Sequence, residues 1–380
     1  MANQKGPWLR LEGFGIFIEA TGAKVEAMLL DKDQSYNILI IKIAAIGDLL
    51  LMTPALRVLK RNFPKTRITL LVGSWSRSII EGNPYLDEII EVPDEAFFKV
   101  KLRLLIPLLF SLRKQRFDLV FVWHRSFAFR FFSWLLSVKY RIGFSRRGDH
   151  RFLTHYVPEN PGLHEVLEYQ STLGPIGIND HSEIDLDLAI PEEARQFAEG
   201  LWQKFELSAP VVVVAPGGAQ NPKETMPLRH WPKENFAKLL AKIVGGLGVK
   251  VILLGGKNDF ALAKEIAAGF DQGVINLCGQ TTLKETAAVI QKADLFIGND
   301  SSPMHISTAV KTPALSFFGP TDPLEKAPLN YKHHYFYKPE KCSPCYQNGR
   351  FPQCVSKKCL WSISVDEVFA VVAQRLKSGR

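Results

Sequence analysis

Short apolar segments alternate with helical patterns in two successive series along this chain of 380 residues. In each series a β-branched apolar segment runs into a turn that contains glycine, first at residues 37–47 and again at residues 210–218. Strands with such a nearly continuous apolar pattern are buried on both faces of a parallel sheet, and helices make the crossovers between them. The pattern predicts an α/β fold with two doubly wound sheets.

The predicted elements divide the chain into two halves of similar size. Strands are expected at 37–43, 67–72, 89–92, 118–122, 210–215, 250–254, 274–277, 295–298 and 314–319. Helices are expected at 49–63, 232–244, 260–268, 283–292 and 304–310. Two domains also agree with the chain length, because a single hydrophobic core stops growing beyond about 250–300 residues.

We place an N-terminal extension at 1–35, a first domain at 36–185 and a second domain at 186–360. Residues 361–380 are expected to form a C-terminal helix that packs back on the first domain. No apolar run reaches the roughly 18–20 residues that span a bilayer, and the N-terminus has no secretory signal pattern. These features predict a cytoplasmic protein with reduced cysteines.

Ligands of doubly wound sheets bind beyond the carboxyl ends of the strands, and Gly47 and Asp48 follow the first predicted strand. Glycine permits a close approach of the backbone to a ligand. Asp48 has two interpretations. It caps the next helix, or its carboxylate projects into the cleft as a general base.

The second domain has a comparable cluster in Asp300, Ser301, Ser302, Met304 and His305, which follows a strand and opens a helix. Hydroxyl groups, free amides and the positive end of the helix dipole converge there, which suits a phosphate. The alternative is an ordinary capping segment.

Three further features of the second domain point to an anionic ligand. Gly217 and Gly218 form a turn that a phosphate can approach, although the turn lacks the ending of a P-loop. Arg229 precedes a helix and could neutralise a diphosphate leaving group, or could be a solvated surface charge. Asp259 follows another strand, where it either binds a ribose hydroxyl or caps a helix.

Six motifs follow one another in a fixed order between residues 37 and 375: IIKIAAIGD (40–48), TPAL (53–56), PGG (216–218), RHWP (229–232), GNDSSPMH (298–305) and FGPTDP (318–323). This ordered set resembles the ADP-heptose:lipopolysaccharide heptosyltransferases of glycosyltransferase family 9. The resemblance implies a GT-B fold, in which two Rossmann-like domains face a central cleft, with the donor held mainly by the second domain and the acceptor by the first.

The resemblance also implies an inverting, metal-independent enzyme that requires no cofactor and moves heptose from ADP-heptose to the inner core of lipopolysaccharide. Asp48 takes the position of the catalytic base, Arg229 that of the diphosphate contact, and residues 300–305 that of the loop that embraces the donor. Gly47 is expected at the acceptor.

The formal charge of +9 comes from one segment, because residues 99–151 contain 13 Lys or Arg and only two Asp. Aromatic residues interleave with these cations, which is one pattern of nucleic-acid binding, but no nucleic-acid module is recognisable. A solvated helix face over buried aromatics is the plainer alternative. The segment lies in the expected acceptor domain, so we favour an anionic glycolipid (Kdo-lipid A or core) at the inner face of the inner membrane, with Arg125, Arg146 and Arg147 at the acceptor.

Four of the five cysteines lie within 18 residues, at Cys342, Cys345, Cys354 and Cys359. Clustered thiols in a cytosolic protein suggest a structural zinc site, and the alternatives are free thiols or a local disulfide. None of these three outcomes enters the expected mechanism.

Other functions stay open from the sequence. A transferase of the same family could use another nucleotide sugar. A nucleotide-sugar epimerase of the same fold would need acid and base groups at the sugar ring and no glycolipid acceptor. A non-catalytic nucleotide-sugar-binding protein would tolerate the loss of Asp48.

Overall fold

The structure is a computed structural model that describes residues 28, 30–145, 148–218, 226–329, 332–346, 351–354 and 356–378. Two six-stranded parallel sheets form its frame, which confirms the predicted α/β class. The first sheet contains β1 (Asn37–Ile41), β2 (Arg67–Gly73), β3 (Glu88–Val92), β4 (Leu119–Val122), β5 (Tyr140–Ser145) and β6 (His155–Pro158). The second contains β7 (Val211–Ala215), β8 (Lys250–Leu253), β9 (Val274–Asn276), β10 (Leu295–Asn299), β11 (Ala314–Phe318) and β12 (His333–Tyr337).

Both sheets have the same strand order. It is β3-β2-β1-β4-β5-β6 in the first sheet and β12-β11-β10-β7-β8-β9 in the second. Counted within each sheet, both orders read 3-2-1-4-5-6, which is the order of a Rossmann-type domain. In the first sheet, Ile41 pairs with Leu71 on one side and with Val122 on the other. The chain thus builds one topology twice.

Fifteen described helices connect and cover the strands. Those of the first half are α1 (Ile46–Leu51), α2 (Thr53–Asn62), α3 (Arg77–Ile80), α4 (Glu95–Phe98), α5 (Leu102–Lys114), α6 (Phe127–Leu135) and α7 (Glu165–Ser171). Those of the second half are α8 (Glu192–Lys204), α9 (Lys233–Ala241), α10 (Phe260–Ala267), α11 (Leu283–Lys292), α12 (Ser302–Ala309), α13 (Pro323–Lys326), α14 (Lys358–Trp361) and α15 (Val365–Ser378).

The two faces of β1 supply two separate parts of the core. Ile38 and Ile40 pack with side chains of α1, α2 and α7, whereas Leu39 and Ile41 pack with side chains of α5 and α6. Burial of alternate residues on both faces explains why the strand reads as a continuous apolar run. The first of these clusters continues into the second domain through Met304 and Ile306 of α12.

The sequence analysis did not predict three of the strands, and one predicted helix is two helices in the structure. β5, β6 and β12 are missing from the sequence-based elements because their sequences, YRIGFS, HYVP and HHYFY, mix polar, aromatic and proline residues. β6 and β12 are edge strands, where such residues are tolerated. The helix expected at 49–63 is two helices, because α1 ends at Leu51 and a new helix begins at Thr53 with Pro54 in its first turn.

The C-terminal helix packs on the second domain, and the expectation that it returns to the first domain is wrong. Val368, Val372 and Leu376 of α15 are buried in one cluster with Phe236 and Leu240 of α9. The apolar stripe of α15 thus faces the hydrophobic core of the second domain. Residues 1–27 of the predicted N-terminal extension lie outside the described residues.

Candidate active site

The topological switch points of the two sheets face one cleft. In a doubly wound sheet the crossovers reverse direction beside the first strand, and the loops that leave the strands there form a crevice. β1 and β4 flank this point in the first sheet, and β7 and β10 flank it in the second. A Cβ atom added to Gly47, after β1, would lie 2.7 Å from Cδ2 of His305, after β10. The two crevices therefore form a single site.

Asp48 stands at the centre of this site. It lies in the first turn of α1, but among the described residues its side chain bonds to Nζ of Lys42 and to no backbone amide, which argues against the helix-cap alternative. The carboxylate accepts a hydrogen bond of 2.9 Å from Nζ of Lys42 and lies 3.6 Å from Nζ of Lys326. The Asp48 side chain keeps 30% of its surface exposed, so a ligand in the cleft can reach it.

Positive charge keeps the Asp48 carboxylate ionised. Burial by itself would raise its pKa, but the charges of Lys42, Lys326 and Arg125 hold the pKa well below the usual range. The hydrogen bond from Lys42 acts in the same direction. The carboxylate is therefore ionised and available as a proton acceptor at neutral pH, and the same positive charges lower its basicity.

Arg125 belongs to the same cluster but is surrounded by acidic groups. It forms an ion pair with Glu168, and its guanidinium lies 3.7 Å from Glu159 and 3.7 Å from Glu165. Glu165 in turn pairs with Lys326. Arg125 therefore lies beside Asp48, and its contacts favour a role in orienting these carboxylates over direct binding of an acceptor anion.

Residues 162–165 of the first domain are joined to residues 325–327 of the second. Nε2 of His164 lies 2.9 Å from the carbonyl oxygen of Ala327, and the amide of Gly162 donates to Glu325 over 3.0 Å. Together with the Lys326–Glu165 ion pair, these bonds hold the two domains together beside Asp48. The separation between the domains at the site is thus set by direct polar contacts.

Two buried histidines at this junction are neutral. Burial lowers the pKa of His164 to about 4 and that of His305 to about 4. Nδ1 of His305 has no hydrogen-bond partner among the residues that the structure describes.

In the second domain, the end of β10 holds the turn that follows β7. Asn299 is fully buried and donates to the carbonyl of Pro216 over 2.8 Å, and its Oδ1 accepts from the amide of Trp231 over 2.9 Å. Asp300 accepts a bond of 2.6 Å from the hydroxyl of Thr321. The side chain of Trp231 is buried and stacks on a core phenylalanine, so Trp231 is a core residue.

The two predicted glycines lie where no side chain fits. A Cβ atom at Gly217 would lie 2.1 Å from Oδ1 of Asp259, and one at Gly218 would lie 2.8 Å from Oγ of Ser301. Gly218 also has a φ of +84°, which a side chain would strain. The turn is therefore pressed against Ser301 at the start of α12.

Asp259 is occupied by this turn. Its Oδ1 accepts from the amide of Gly218 over 3.2 Å, and its Oδ2 accepts from the amide of Gly256 over 2.8 Å. These contacts favour the capping alternative over the ribose-binding one. Met304 is also structural, because its side chain is fully buried in the hydrophobic core. Ser302 begins α12 and is half-buried.

Arg229 is held beside Asp300 by two aromatic rings. Its Nη1 lies 3.5 Å from Oδ2 of Asp300, and its guanidinium carbon lies 5.3 Å from the ring centre of Tyr346 and 5.6 Å from that of Phe351. Guanidinium groups are attracted to aromatic faces at such distances. Arg229 is therefore a positioned cation rather than a solvated surface charge.

The four clustered cysteines are free thiols in this structure, which favours that alternative over a local disulfide. Across the described ranges, no three His, Cys, Asp or Glu side chains are grouped closely enough to hold a metal ion, so the zinc alternative finds no support. The cysteine-rich segment instead contributes Tyr346 and Phe351 to the support of Arg229. Arg146 and Arg147 lie outside the described residues.

A cavity of about 810 Å³ lies away from this cleft, at the amino-terminal ends of the first-sheet strands. Tyr36, Asp118 and Tyr140 line it, and none of the predicted site residues does. The site is accordingly located by its charged groups and by the strand order, not by the size of a cavity.

The sequence analysis did not identify four residues of this site: Lys326, Glu165, Glu168 and His164. It also did not identify Lys42, although the sequence contains a signal for that residue. A lysine within the apolar run 38–43 is rare in a buried strand unless it is paired, and its partner is Asp48. The other four carried no such signal, because the positions that pair them are far apart in the chain.

Comparisons with known proteins agree with this geometry. Residues 107–355 match the family described as Glycosyltransferase family 9 (heptosyltransferase). Lipopolysaccharide heptosyltransferase 3 of Escherichia coli K12 is 30% identical over 311 residues, which cover 77% of this chain and 82% of that protein.

Two solved structures share the fold. A glycosyl transferase of family 9 from Veillonella parvula is 24% identical with a TM-score of 0.77, and the match covers 93% of this chain and 99% of that one. The ADP-heptose lipopolysaccharide heptosyltransferase II of Escherichia coli is 22% identical with a TM-score of 0.73 over 90% and 99% of the two chains. This chain has the GT-B fold of those enzymes, and it is a glycosyltransferase that belongs to glycosyltransferase family 9.

Proposed function

We propose that this enzyme transfers heptose from ADP-heptose to the inner core of lipopolysaccharide, with inversion and without a metal ion. The observation that carries the proposal is the ionised Asp48 carboxylate, which lies at the switch point of the first sheet next to the contact between Gly47 and His305. A carboxylate in that place can activate an acceptor hydroxyl against a donor held by the second domain. The names of the family and of its heptosyltransferase relatives support the choice of sugar and acceptor.

The second domain supplies the groups that a nucleoside diphosphate sugar needs. The Gly217–Gly218 turn lets a phosphate approach the backbone, and the start of α12 at Ser301 and Ser302 faces negative charge favourably. Arg229, held by its aromatic neighbours, supplies the cation for the diphosphate. These fixed dipoles and charges stabilise the leaving ADP, and this is the support for a reaction that needs no metal ion.

One displacement accounts for the products. The acceptor hydroxyl oxygen forms a bond to the anomeric carbon, and the bond from that carbon to the diphosphate oxygen breaks. The electron pair of the broken bond leaves on ADP, and the hydroxyl proton passes to Asp48. A single displacement from the opposite face inverts the anomeric centre, and it requires no second carboxylate as nucleophile.

The acceptor is an anionic glycolipid, Kdo-lipid A or partly extended core. The basic segment 99–151, which includes Arg146 and Arg147, supplies cations for its carboxylates and phosphates. Such an acceptor is anchored in lipid, so we place the working enzyme in the cytoplasm at the inner face of the inner membrane. None of the described helices has the length and apolarity needed to cross a bilayer.

The test is transfer by the purified enzyme. ADP release and the mass of the glycolipid are followed with ADP-heptose and heptose-free Kdo-lipid A or partly extended core, for the wild type and for Asp48→Asn. We expect loss of transfer in the variant. Asp87→Asn is the matched control, because Asp87 also pairs with a lysine of the first domain, Lys60, but lies at the start of β3.

Two results would contradict the proposal: no transfer by the wild type from ADP-heptose, and full activity of Asp48→Asn. A panel of other nucleotide sugars in the same assay distinguishes a family member with a different donor. Binding of the nucleotide sugar without any turnover would identify a non-catalytic protein.

A further inference from the structure

Two helices of the first domain expose large apolar side chains to solvent. On α6, Phe127, Phe131 and Trp134 are spaced by four and three residues, so they form one stripe along the outer side of the helix. On α5, Leu102, Ile106 and Phe110 repeat every fourth residue and form a second stripe. The six side chains are between 39% and 61% exposed, and we call them the α5–α6 surface.

The two helices belong to one layer. Leu112 of α5 and Phe129 and Phe132 of α6 are buried in the same cluster on one face of the first sheet. Arg113 of α5 also donates to the carbonyl of Leu135, the last residue of α6, over 2.8 Å. The sides of both helices that face the sheet are thus used for packing, and the α5–α6 surface is on their solvent-facing sides.

The exposed aromatics are organised rather than scattered. Phe131 lies 5.7 Å from Trp134 between ring centres, and the ring of Phe152 lies 5.3 to 5.5 Å from Phe127, Phe131 and Trp134. Eleven large apolar side chains are exposed in the described parts of the chain, and seven of them lie between Val100 and Trp134. Single exposed apolar residues need no explanation, whereas a concentration of this kind indicates an interaction surface.

The charges around this surface are positive. Arg103, Lys114 and Lys139 are exposed and form no ion pair with any carboxylate that the structure describes. Arg151 is also exposed; it pairs with Asp149 over 2.9 Å, and its guanidinium lies 5.2 Å from the ring centre of Phe127. Aromatic and aliphatic side chains surrounded by lysine and arginine match a membrane surface that contains anionic lipids.

The surface begins at the edge of the active-site cleft. α6 starts two residues after Arg125, which contacts the cluster around Asp48. The last turn of α5 lies near the start of β1, because the Asn37 side chain donates to the carbonyl of Gln115 over 2.7 Å. The first residue of α5, Leu102, therefore lies at the opposite end of the helix, toward the carboxyl ends of the strands. A headgroup that leaves a bilayer beside Phe127 would therefore reach the cleft directly.

We propose that the α5–α6 surface docks on a bilayer that contains anionic phospholipid, with its aromatic and aliphatic side chains in the interfacial region and the surrounding cations on the lipid phosphates. This proposal deepens the proposed function, since it states how a lipid-linked acceptor is presented to the cleft. Lipid binding is measured without donor or acceptor, so failure of this proposal and failure of the transfer reaction are distinguishable.

The test is flotation of the full-length protein with vesicles of phosphatidylcholine alone and of phosphatidylcholine with phosphatidylglycerol. We expect the wild type to bind the anionic vesicles and to be released by salt. In Phe131→Ser with Trp134→Ser, the partition coefficient should fall by about tenfold or more, because burial of two aromatic side chains is lost. The matched control is Phe260→Ser with Trp361→Ser, which removes the same residue types from exposed sites of the second domain and should leave binding unchanged.

A charge variant, Lys114→Glu with Lys139→Glu, provides a second measurement that removes no apolar contact and should weaken binding to anionic vesicles only. Equal binding of wild type and aromatic variant would overturn the proposal, as would equal binding of the wild type to neutral and anionic vesicles. A wild type that is dimeric in light scattering, becomes monomeric in the aromatic variant and ignores vesicles would identify a second copy of the chain as the occupant, and would overturn it too.

Discussion

Lys326 of the second domain lies with its Nζ 3.6 Å from Oδ1 of Asp48 in the first domain. The same amino group pairs with Glu165, so one lysine joins two carboxylates of the opposite domain. The expected base and its electrostatic environment therefore come from different halves of the chain. The pKa of Asp48 therefore depends on how the two domains are placed against each other.

The first prediction concerns the charge of Lys326. Lys326→Met removes one of the positive charges that lower the pKa of Asp48, so that pKa rises and the carboxylate protonates at a higher pH. We expect the acid limb of the pH profile of kcat/KM to move to higher pH. Lys326→Arg keeps the charge and should restore the profile, and Lys311→Met, at an exposed lysine of the same domain, should leave it unchanged. An acid limb that stays in place in Lys326→Met would show that Asp48 is not the titrating base.

The second prediction concerns the support of Arg229. Tyr346→Leu removes one ring from the guanidinium of Arg229, and a cation–π contact of this kind contributes about 1 kcal/mol. We expect affinity for ADP, measured by titration calorimetry, to fall about fivefold, and Arg229→Ala to weaken it further. Tyr346→Phe keeps the ring and should behave as the wild type. Unchanged ADP affinity in Arg229→Ala would remove Arg229 from the donor site.

The third prediction concerns the contact between the domains at Gly47. Gly47→Ala places a methyl group 2.7 Å from the buried ring of His305, so the two domains must shift apart. We expect a loss of about 1–3 kcal/mol in the free energy of unfolding, measured with urea, and a large loss of transfer activity.

Gly200→Ala is the matched control for this substitution. Gly200 lies within α8, and an added Cβ meets nothing within 4 Å. Alanine favours the helix, so this variant should gain up to about 1 kcal/mol. Equal stability of the two variants would contradict the close contact at Gly47.

The fourth prediction concerns the buried histidines. The pKa of His164 is about 4 in the folded protein, against 6.5 for an ordinary histidine, so the unfolded chain binds more protons between these values. The contribution of neutral His164 to the free energy of unfolding is therefore fully present above about pH 6.5. It is lost as the pH falls toward 4, by up to about 3 kcal/mol for one such group. His305 contributes in the same window.

Urea unfolding of the wild type and of His164→Asn across this pH range measures the effect. Asparagine can still accept the hydrogen bond from the amide of Val166, so the cap of α7 is kept. The slope of stability against pH should be smaller in the variant. His150→Asn, at an exposed histidine, should keep the wild-type slope. Identical slopes in all three proteins would contradict the assignment.

Much of the fold could be predicted from the sequence because buried parallel strands have an unmistakable local pattern. Each of the nine expected strands overlaps one in the structure, since runs such as 37–41 and 211–215 are apolar on both faces. The edge strands β6 and β12 lack that pattern and were missed. The packing of α15 was predicted wrongly, because an apolar stripe on a helix does not state which layer it covers.

The sequence by itself determined the residue types at the switch points: Gly47 and Asp48 after β1, and residues 300–305 after β10. Only the tertiary structure decided what those residues do. It placed Asp259 and Met304 in structural roles, brought Lys326 to Asp48 and Glu165, and joined His164 to Ala327 across the two domains. The physical reason is that capping, strand and turn patterns act over a few residues, whereas ion pairs join groups that are 161 and 278 positions apart. The same holds for the positive segment 99–151. Its charge is visible in the sequence, but its apolar stripes form one surface only because α5 and α6 pack in the same layer of the first domain.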